Sequence, residues 1–257
     1  MMRVTSIQLE IKERPKKKTL QHLLYLLEKA PPSDLILLPE LWTCGYFSFD
    51  RYREESETLD GPTVNLFRQK AIELGSYILM GSMVEREGHD LFNTSLLIDH
   101  QGQNVARYRK IHLFGYQSEE RRLLKPGQEI VVAKTPWGKA GISTCYDLRF
   151  PEFYRKMLDE GAQFFLVVSA WPHSRRDAWI LFNRVRAHEN LAFLFSCNCV
   201  GLDKGHQYAG HSLFVDPWGK VVAEGGEEEC IVSAEVDMSL IESARKEFSA
   251  LDNRIFK

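Results

Sequence analysis

Along the chain, the spacing of apolar and polar positions switches repeatedly between the period of a strand and that of a helix. Residues 4–9 alternate as a half-buried strand does. Residues 19–30 then carry apolar side chains at helical spacing until Pro31 and Pro32 stop the pattern. Residues 35–39, LILLP, form a continuous apolar run suited to the middle of a sheet. An amphipathic helix over 61–74, a strand over 77–84 and a hairpin of 91–99 with 104–108 follow. The second half repeats the theme: a strand running into Cys145, a helix over 151–160 closed by Gly161, a strand over 164–169 and a helix over 176–190. It continues with an apolar strand over 191–200, a hairpin around Asp216-Pro217-Trp218-Gly219, a strand over 231–236 and a helix from Ser239. Two such halves, the first ending near Tyr108 and the second starting near Ala140, predict an α/β fold. Its simplest form is a four-layer αββα sandwich, two sheets face to face with helices outside.

Composition narrows the function classes. The 257 residues are 44% hydrophobic and 26% charged, enough apolar material for a substantial core, and we expect one domain over 1–257. A net charge of −2 gives no field for nucleic acid, and Lys16-Lys17-Lys18 reads as the solvated start of a helix. No run reaches membrane-spanning length, so no membrane partner is expected. Five cysteines, an odd number, and a start without an apolar signal segment point to a reducing, cytoplasmic setting. Cys197 and Cys199 read as core. His211 reads as structural.

Three positions carry candidate chemistry. Cys145 ends a β-prone run just before Pro151 opens a helix, so a nucleophile there would be held rigidly and still exposed. Backbone N–H groups of the following turn could point at an oxyanion. Alone it reads equally as a small buried core residue. Glu40, directly after LILLP and before LWTCGY, is either a solvated loop charge or a carboxylate held among aromatics. Lys110 ends the hairpin in YRKIHLF, where the simple alternative is a solvated basic edge. Brought together, a thiol, a carboxylate and an ammonium have the parts for acyl transfer without metal or cofactor.

The segments LLPELWTCGY, YRKIHLF and GISTCYDLRFPE, in this order, resemble the nitrilase superfamily of carbon–nitrogen hydrolases, and RVRAHEN, AGHSLFVDPWG and AEGG extend the likeness. The resemblance implies the αββα fold, Glu40 as general base, Lys110 as oxyanion cation, Cys145 as nucleophile and no metal or cofactor. It also implies a second glutamate between the lysine and the cysteine. Counting back from Pro126-Gly127 selects Glu120, with Glu119 adjacent. The family commonly assembles as dimers through helices and C-terminal tails, so 238–257 is expected to meet a partner subunit in a homodimer or higher homo-oligomer.

Within the superfamily, CYDLRFPE, SAWP and CNCVG are most similar to the ω-amidase (2-oxoglutaramate amidase) branch, which releases ammonia from terminal amides of small 2-oxo dicarboxylic acids. That implies hydrolysis of a carboxylate-bearing amide through a cysteine thioester, with the backbone N–H of Tyr146 in the oxyanion hole. Bidentate carboxylate recognition makes Arg149 the substrate-binding candidate, with Trp171 and Tyr46 as pocket walls. An ion pair of Arg149 with Asp147 or Glu152 is the structural alternative. The polar run from Trp171 to Arg176 departs from the pattern. Deaminated glutathione amidase, N-carbamoyl hydrolase and nitrilase are alternatives within the superfamily, and a catalytically silent binding protein is the alternative outside enzymes.

Overall fold

In a computed structural model of the chain, described for residues 1–256, fifteen strands and seven α-helices alternate. The first half holds β1 (Met2–Gln8), β2 (Glu10–Ile11), α1 (Lys16–Lys29), β3 (Leu35–Leu37), α2 (Tyr52–Glu55), α3 (Pro62–Leu74), β4 (Tyr77–Glu87), β5 (Asp90–Ile98) and β6 (Asn104–Arg109). The site-bearing middle holds α4 (Glu120–Leu123), β7 (Val132–Thr135), β8 (Gly138–Thr144), α5 (Pro151–Asp159), β9 (Phe164–Ser169), α6 (Arg176–Glu189) and β10 (Phe193–Asn198). The last part holds β11 (Val200–Asp203), β12 (His206–Gln207), β13 (Leu213–Val215), β14 (Val221–Glu224), β15 (Cys230–Val236) and α7 (Leu240–Glu247).

Two six-stranded sheets form, in the orders β15-β1-β3-β4-β5-β6 and β14-β13-β10-β9-β8-β7, with a small third sheet β12-β11-β2. The period-2 pattern decides what each face covers. Leu35 and Leu37 point with Leu79 and Leu97 toward Ile142, Leu166 and Phe195 of the second sheet. Ile36, Ile78 and Ile98 face the other way and pack with Leu23 and Leu27 of α1 and Val64 and Phe67 of α3. Phe153 and Met157 of α5 and Trp179 of α6 cover the far side of the second sheet. The result is the four-layer αββα sandwich. No helix among the described residues is long and apolar enough to cross a membrane.

Most predicted elements form within a few residues of their expected limits. The predicted strand over 191–200 is the clearest difference: β10 stops at Asn198, and the chain then pairs with β2 in the third sheet. Cys197 and Cys199 are buried and direct their thiols to the main-chain carbonyls of Ile7 and Glu40. His211 pairs with the Glu224 carboxylate at 2.7 Å rather than with backbone.

Candidate active site

The site forms where the C-terminal ends of β3, β6, β8 and β9 converge. Parallel strands deliver residues to one edge in this way, with buried runs behind them fixing each loop's start. Leaving β3, the chain reaches Glu40, whose N–H donates to the Ser169 carbonyl at 3.2 Å. Leu41, the next residue, is left-handed at φ 46°, an uncommon conformation for a leucine that turns the chain sharply. Gly81 makes this approach feasible: at φ 69° it lies so close to the loop that a Cβ would overlap the Pro39 carbonyl oxygen. The neighbouring Ser82 hydroxyl accepts the Leu41 N–H at 3.1 Å.

Glu40, Lys110 and Glu120 are all fully buried, and Lys110 is bonded to both glutamates. The Lys110 ammonium lies 3.0 Å from Glu40 Oε1 and 2.9 Å from Glu120 Oε1. Asn93, in the middle of β5, donates its side-chain amide to Glu40 at 2.8 Å and to Glu120 at 3.2 Å. Glu40 also accepts the Ala170 N–H at 2.8 Å. Glu120 accepts the Phe114 N–H at 2.7 Å and the Tyr46 hydroxyl at 3.3 Å. Burial alone would strip Lys110 of its proton, but the Glu120 and Glu40 charges outweigh it and hold the ammonium well above its usual range. Burial lifts Glu120 above the usual carboxylate value. Lys110 opposes that rise and Glu40 adds to it.

Cys145 begins a short 3-10 turn, Cys145–Arg149, directly after β8, and is left-handed at φ 50°. Asp147 fixes this turn. Its carboxylate accepts the Thr144 N–H at 2.9 Å, the Tyr108 hydroxyl at 2.6 Å and the His112 N–H at 3.1 Å, and pairs with the His112 ring at 2.7 Å. The lysine loop and the cysteine turn are thereby tied through one buried carboxylate. Burial and then the Glu40 charge push the Cys145 thiol up, while Lys110 pulls the other way. The neutral thiol is therefore favoured over the thiolate. As the first two residues of the turn, Cys145 and Tyr146 have N–H groups with no acceptor inside it.

Above Cys145 lies a cavity of about 180 Å³ lined by aromatics, among them Tyr46, Phe114 and Trp171, and by Arg149 and Arg175. It is smaller than the roughly 300–1,000 Å³ of pockets for drug-sized ligands, which suits a small metabolite. Arg149 lies over Trp171, 5.0 Å from the ring centre, and over Phe182. Its guanidinium has no hydrogen bond or ion pair among the described residues, and Asp147 is engaged elsewhere. Burial, and then the Arg175 charge, lower the pKa of Arg149. A wider cleft beside Arg107, Arg109 and Lys125 has its cations already paired to Glu85, Glu87 and Asp90.

Comparison with known proteins shows the family. Residues 3–246 match the Carbon-nitrogen hydrolase family. The chain belongs to the carbon–nitrogen hydrolase family. It is 35% identical to a 2-oxoglutaramate amidase of Bacillus subtilis over 97% of this chain and 96% of the relative. The crystal structure of Saccharomyces cerevisiae Nit3, a member of branch 10 of the nitrilase superfamily, superposes with a TM-score of 0.89 at 30% identity. That match covers 99% of this chain and 97% of Nit3. A CN-hydrolase superfamily protein from Xanthomonas campestris superposes with a TM-score of 0.92 at 33% identity, covering 100% of this chain and 98% of that one.

In this carbon–nitrogen hydrolase, Glu40, Lys110 and Glu120 form one hydrogen-bonded group, and their three charges act on the buried Cys145 thiol. Tyr46, Tyr146, Arg149 and Trp171 line the cavity. The segment around Glu120 is not the wholly solvent-facing stretch its charge density suggests. Glu119, Arg121 and Arg122 are exposed and Glu119 pairs with Arg122, whereas Glu120 turns inward as the first residue of α4. Sequence reasoning missed Asn93, took Asp147 only as an alternative partner for Arg149, and met Arg175 only within the polar run 171–176. A lone Asn inside the apolar run LFNTSLLI was the available signal for Asn93, since a buried amide needs partners.

Proposed function

We propose that this protein hydrolyses the terminal amide of a small 2-oxo dicarboxylic acid, a 2-oxoglutaramate-like ω-amide, to the acid and ammonia through a thioester on Cys145. The carrying observation is the Lys110 ammonium held between two buried carboxylates next to the only thiol that lines the cavity. Glu40 takes the Cys145 proton as sulfur attacks the amide carbon. Lys110 and the Tyr146 N–H receive the negative charge that develops on oxygen. The proton passes from Glu40 to the leaving nitrogen, and ammonia departs. Glu40 then takes a proton from a water positioned with Glu120, the water attacks the thioester, and the thiol is restored as the acid leaves. Burial and the Glu40 charge push the thiol's pKa up, so removal of its proton by Glu40 is a necessary part of sulfur attack.

Arg149, unpaired in the cavity, would hold the substrate carboxylate, with Tyr46 and Trp171 as walls. Amidases of the deaminated glutathione type act on a longer molecule, which the small cavity disfavours. Ammonia release across 2-oxoglutaramate, 2-oxosuccinamate, deaminated glutathione, N-carbamoyl amino acids and simple nitriles tests the assignment, with 2-oxoglutaramate expected to have the highest kcat/KM. A substrate-mass adduct on Cys145 should be trapped by rapid acid quench. Full turnover by Cys145→Ala would remove the mechanism.

In this reading residues 1–257 act as one domain in a cytoplasmic homodimer. The five free cysteines support a reducing compartment. Pairing of β15 with β1 returns the chain's end to its beginning. The exposed Leu181, Val185 and Trp218 beside α6, with the exposed tail residues Phe248, Ile255 and Phe256, support contact between subunits through α6 and 238–257. Light scattering should give twice the chain mass, and Leu181→Glu should halve it. A monodisperse monomer for the parent chain would remove the dimer.

A further inference from the structure

Arg175 has no part in the chemistry proposed above, yet it lines the same cavity as Cys145 and Arg149. It closes the short turn His173–Arg175 between β9 and α6, and the Trp171 indole N–H holds its carbonyl at 2.8 Å. Its guanidinium lies 5.5 Å from the centre of the Phe114 ring and 5.6 Å from that of Tyr116, and makes no hydrogen bond or ion pair among the described residues. Arg149 is unpaired in the same way. The acids adjoining this turn, Asp177 and Glu227, are engaged by Arg176, and no carboxylate lines the cavity. Two guanidinium groups without ion-pair partners in one small cavity repel each other.

We propose that Arg175 is a specificity-determining residue that forms, with Arg149, a two-guanidinium subsite accepting a 2-oxo acid end and rejecting the corresponding 2-amino acid. This deepens the ω-amide reading and rests on it. A 2-oxo acid end presents three acceptor oxygens, two on the carboxylate and one on the ketone, and no donor. Two guanidinium forks present donors only, so the match is complete. A 2-amino acid puts an ammonium, itself three donors and a positive charge, where the cavity has two cations and no acceptor carboxylate. Like charge and unpaired donors both oppose it, a discrimination made by repulsion as much as by attraction. A ring-stacked arginine with a purely structural role would not sort substrates by the group at carbon 2.

Arg175→Gln and Arg175→Lys, compared with the parent protein on 2-oxoglutaramate, glutarate monoamide and L-glutamine by ammonia release, test this. Arg175→Gln should raise KM for 2-oxoglutaramate roughly 10–100-fold, the range for losing a charge-assisted hydrogen bond. It should raise KM far less for glutarate monoamide, which has no 2-oxo group, and it should improve kcat/KM for glutamine. kcat on 2-oxoglutaramate should move much less than KM, because Arg175 meets no reacting atom. Arg175→Lys keeps the charge without the fork, so glutamine should stay rejected while KM for 2-oxoglutaramate still rises. Should the glutamine variant fold poorly, the lysine variant's KM ratio for the two monoamides carries the same comparison. An unchanged KM ratio of 2-oxoglutaramate to glutarate monoamide in the folded variant overturns this inference alone. A parent protein that hydrolyses none of the three overturns the ω-amide reading with it.

Discussion

Arg109 and Lys110 are consecutive residues, and each holds a pair of glutamates, but the two clusters are built to opposite ends. Successive side chains of an extended chain point to opposite faces. Arg109 reaches Glu85 at 2.6 Å and Glu87 at 2.9 Å and stacks on Phe92, with Arg107 also within 4 Å of both acids. Lys110 reaches Glu40 and Glu120. The first cluster balances two carboxylates against two guanidinium groups at the rim of the first sheet. The second sets two carboxylates against one ammonium in full burial, leaving one negative charge in excess. Balanced charge ties strand ends together. In the proposed reaction a carboxylate beside the thiol acts as the base, and burial of the excess charge costs stability that the balanced cluster does not give up.

Substituting the two cations separates these roles most strongly. Lys110→Met should lower kcat by roughly 100–1,000-fold, the loss for one oxyanion donor, as read by steady-state ammonia release. It should also cost about 3–5 kcal/mol of stability by denaturant unfolding, because two carboxylates remain buried without a counter-charge. Arg109→Met should destabilise too, since Glu85 is 2% exposed, but leave kcat nearly unchanged. If Arg109→Met abolished activity with the fold intact, the division between the clusters would be wrong.

A smaller effect distinguishes the neighbouring glutamates. Glu120→Gln keeps the shape but removes the charge that Lys110, Phe114 and Asn93 are arranged around, and should lower kcat by roughly 10–100-fold. Glu119→Gln loses only an exposed pair with Arg122 and should stay within about 0.5 kcal/mol in stability, with unchanged kinetics. Equal losses of activity in both would show that α4 as a whole, and not Glu120, matters to the reaction.

The same contrast explains what could be read before the structure. Strand and helix limits followed from apolar period, because LILLP, the run into Cys145 and the run over 164–169 are core segments whose pattern burial enforces. Glu40, Lys110 and Cys145 were legible as an ordered set of motifs, though nothing local showed that three loops separated by 70 and 35 residues would meet. Glu120 was ambiguous because four charged residues in a row hide which one turns inward; the first-turn position in α4 decides it, and no propensity reports that. Arg149 was singled out from the chemistry of a carboxylate substrate, and it does line the cavity. Arg175 was met only as one member of the polar run 171–176, because what sets it apart is having no partner, a property of the folded surroundings and not of its neighbours in sequence.

The smallest effect is a difference in the sign of pH dependence. The bond from Arg109 holds Glu87 below its ordinary value of 4.5. A carboxylate depressed in the folded state contributes stability above its unfolded pKa, and that contribution is lost as pH falls through the folded value. Glu87→Gln should therefore be less stable than the parent at neutral pH, with the gap closing below about pH 4.5. Glu120 is displaced the other way, chiefly by burial. A carboxylate raised in the folded state binds its proton more tightly there than in the unfolded chain, so its contribution is present below the unfolded pKa and lost as pH rises through the folded one. Relative to the parent, Glu120→Gln should thus gain stability as pH rises, the slope opposite to that of Glu87→Gln. Melting temperatures of both variants and the parent, taken from about pH 3.5 to 7.5, read the two slopes directly. Slopes of the same sign would mean that in the folded protein the attraction of Lys110 outweighs the burial of Glu120, so that this carboxylate is held ionised as firmly as the one at the sheet's rim.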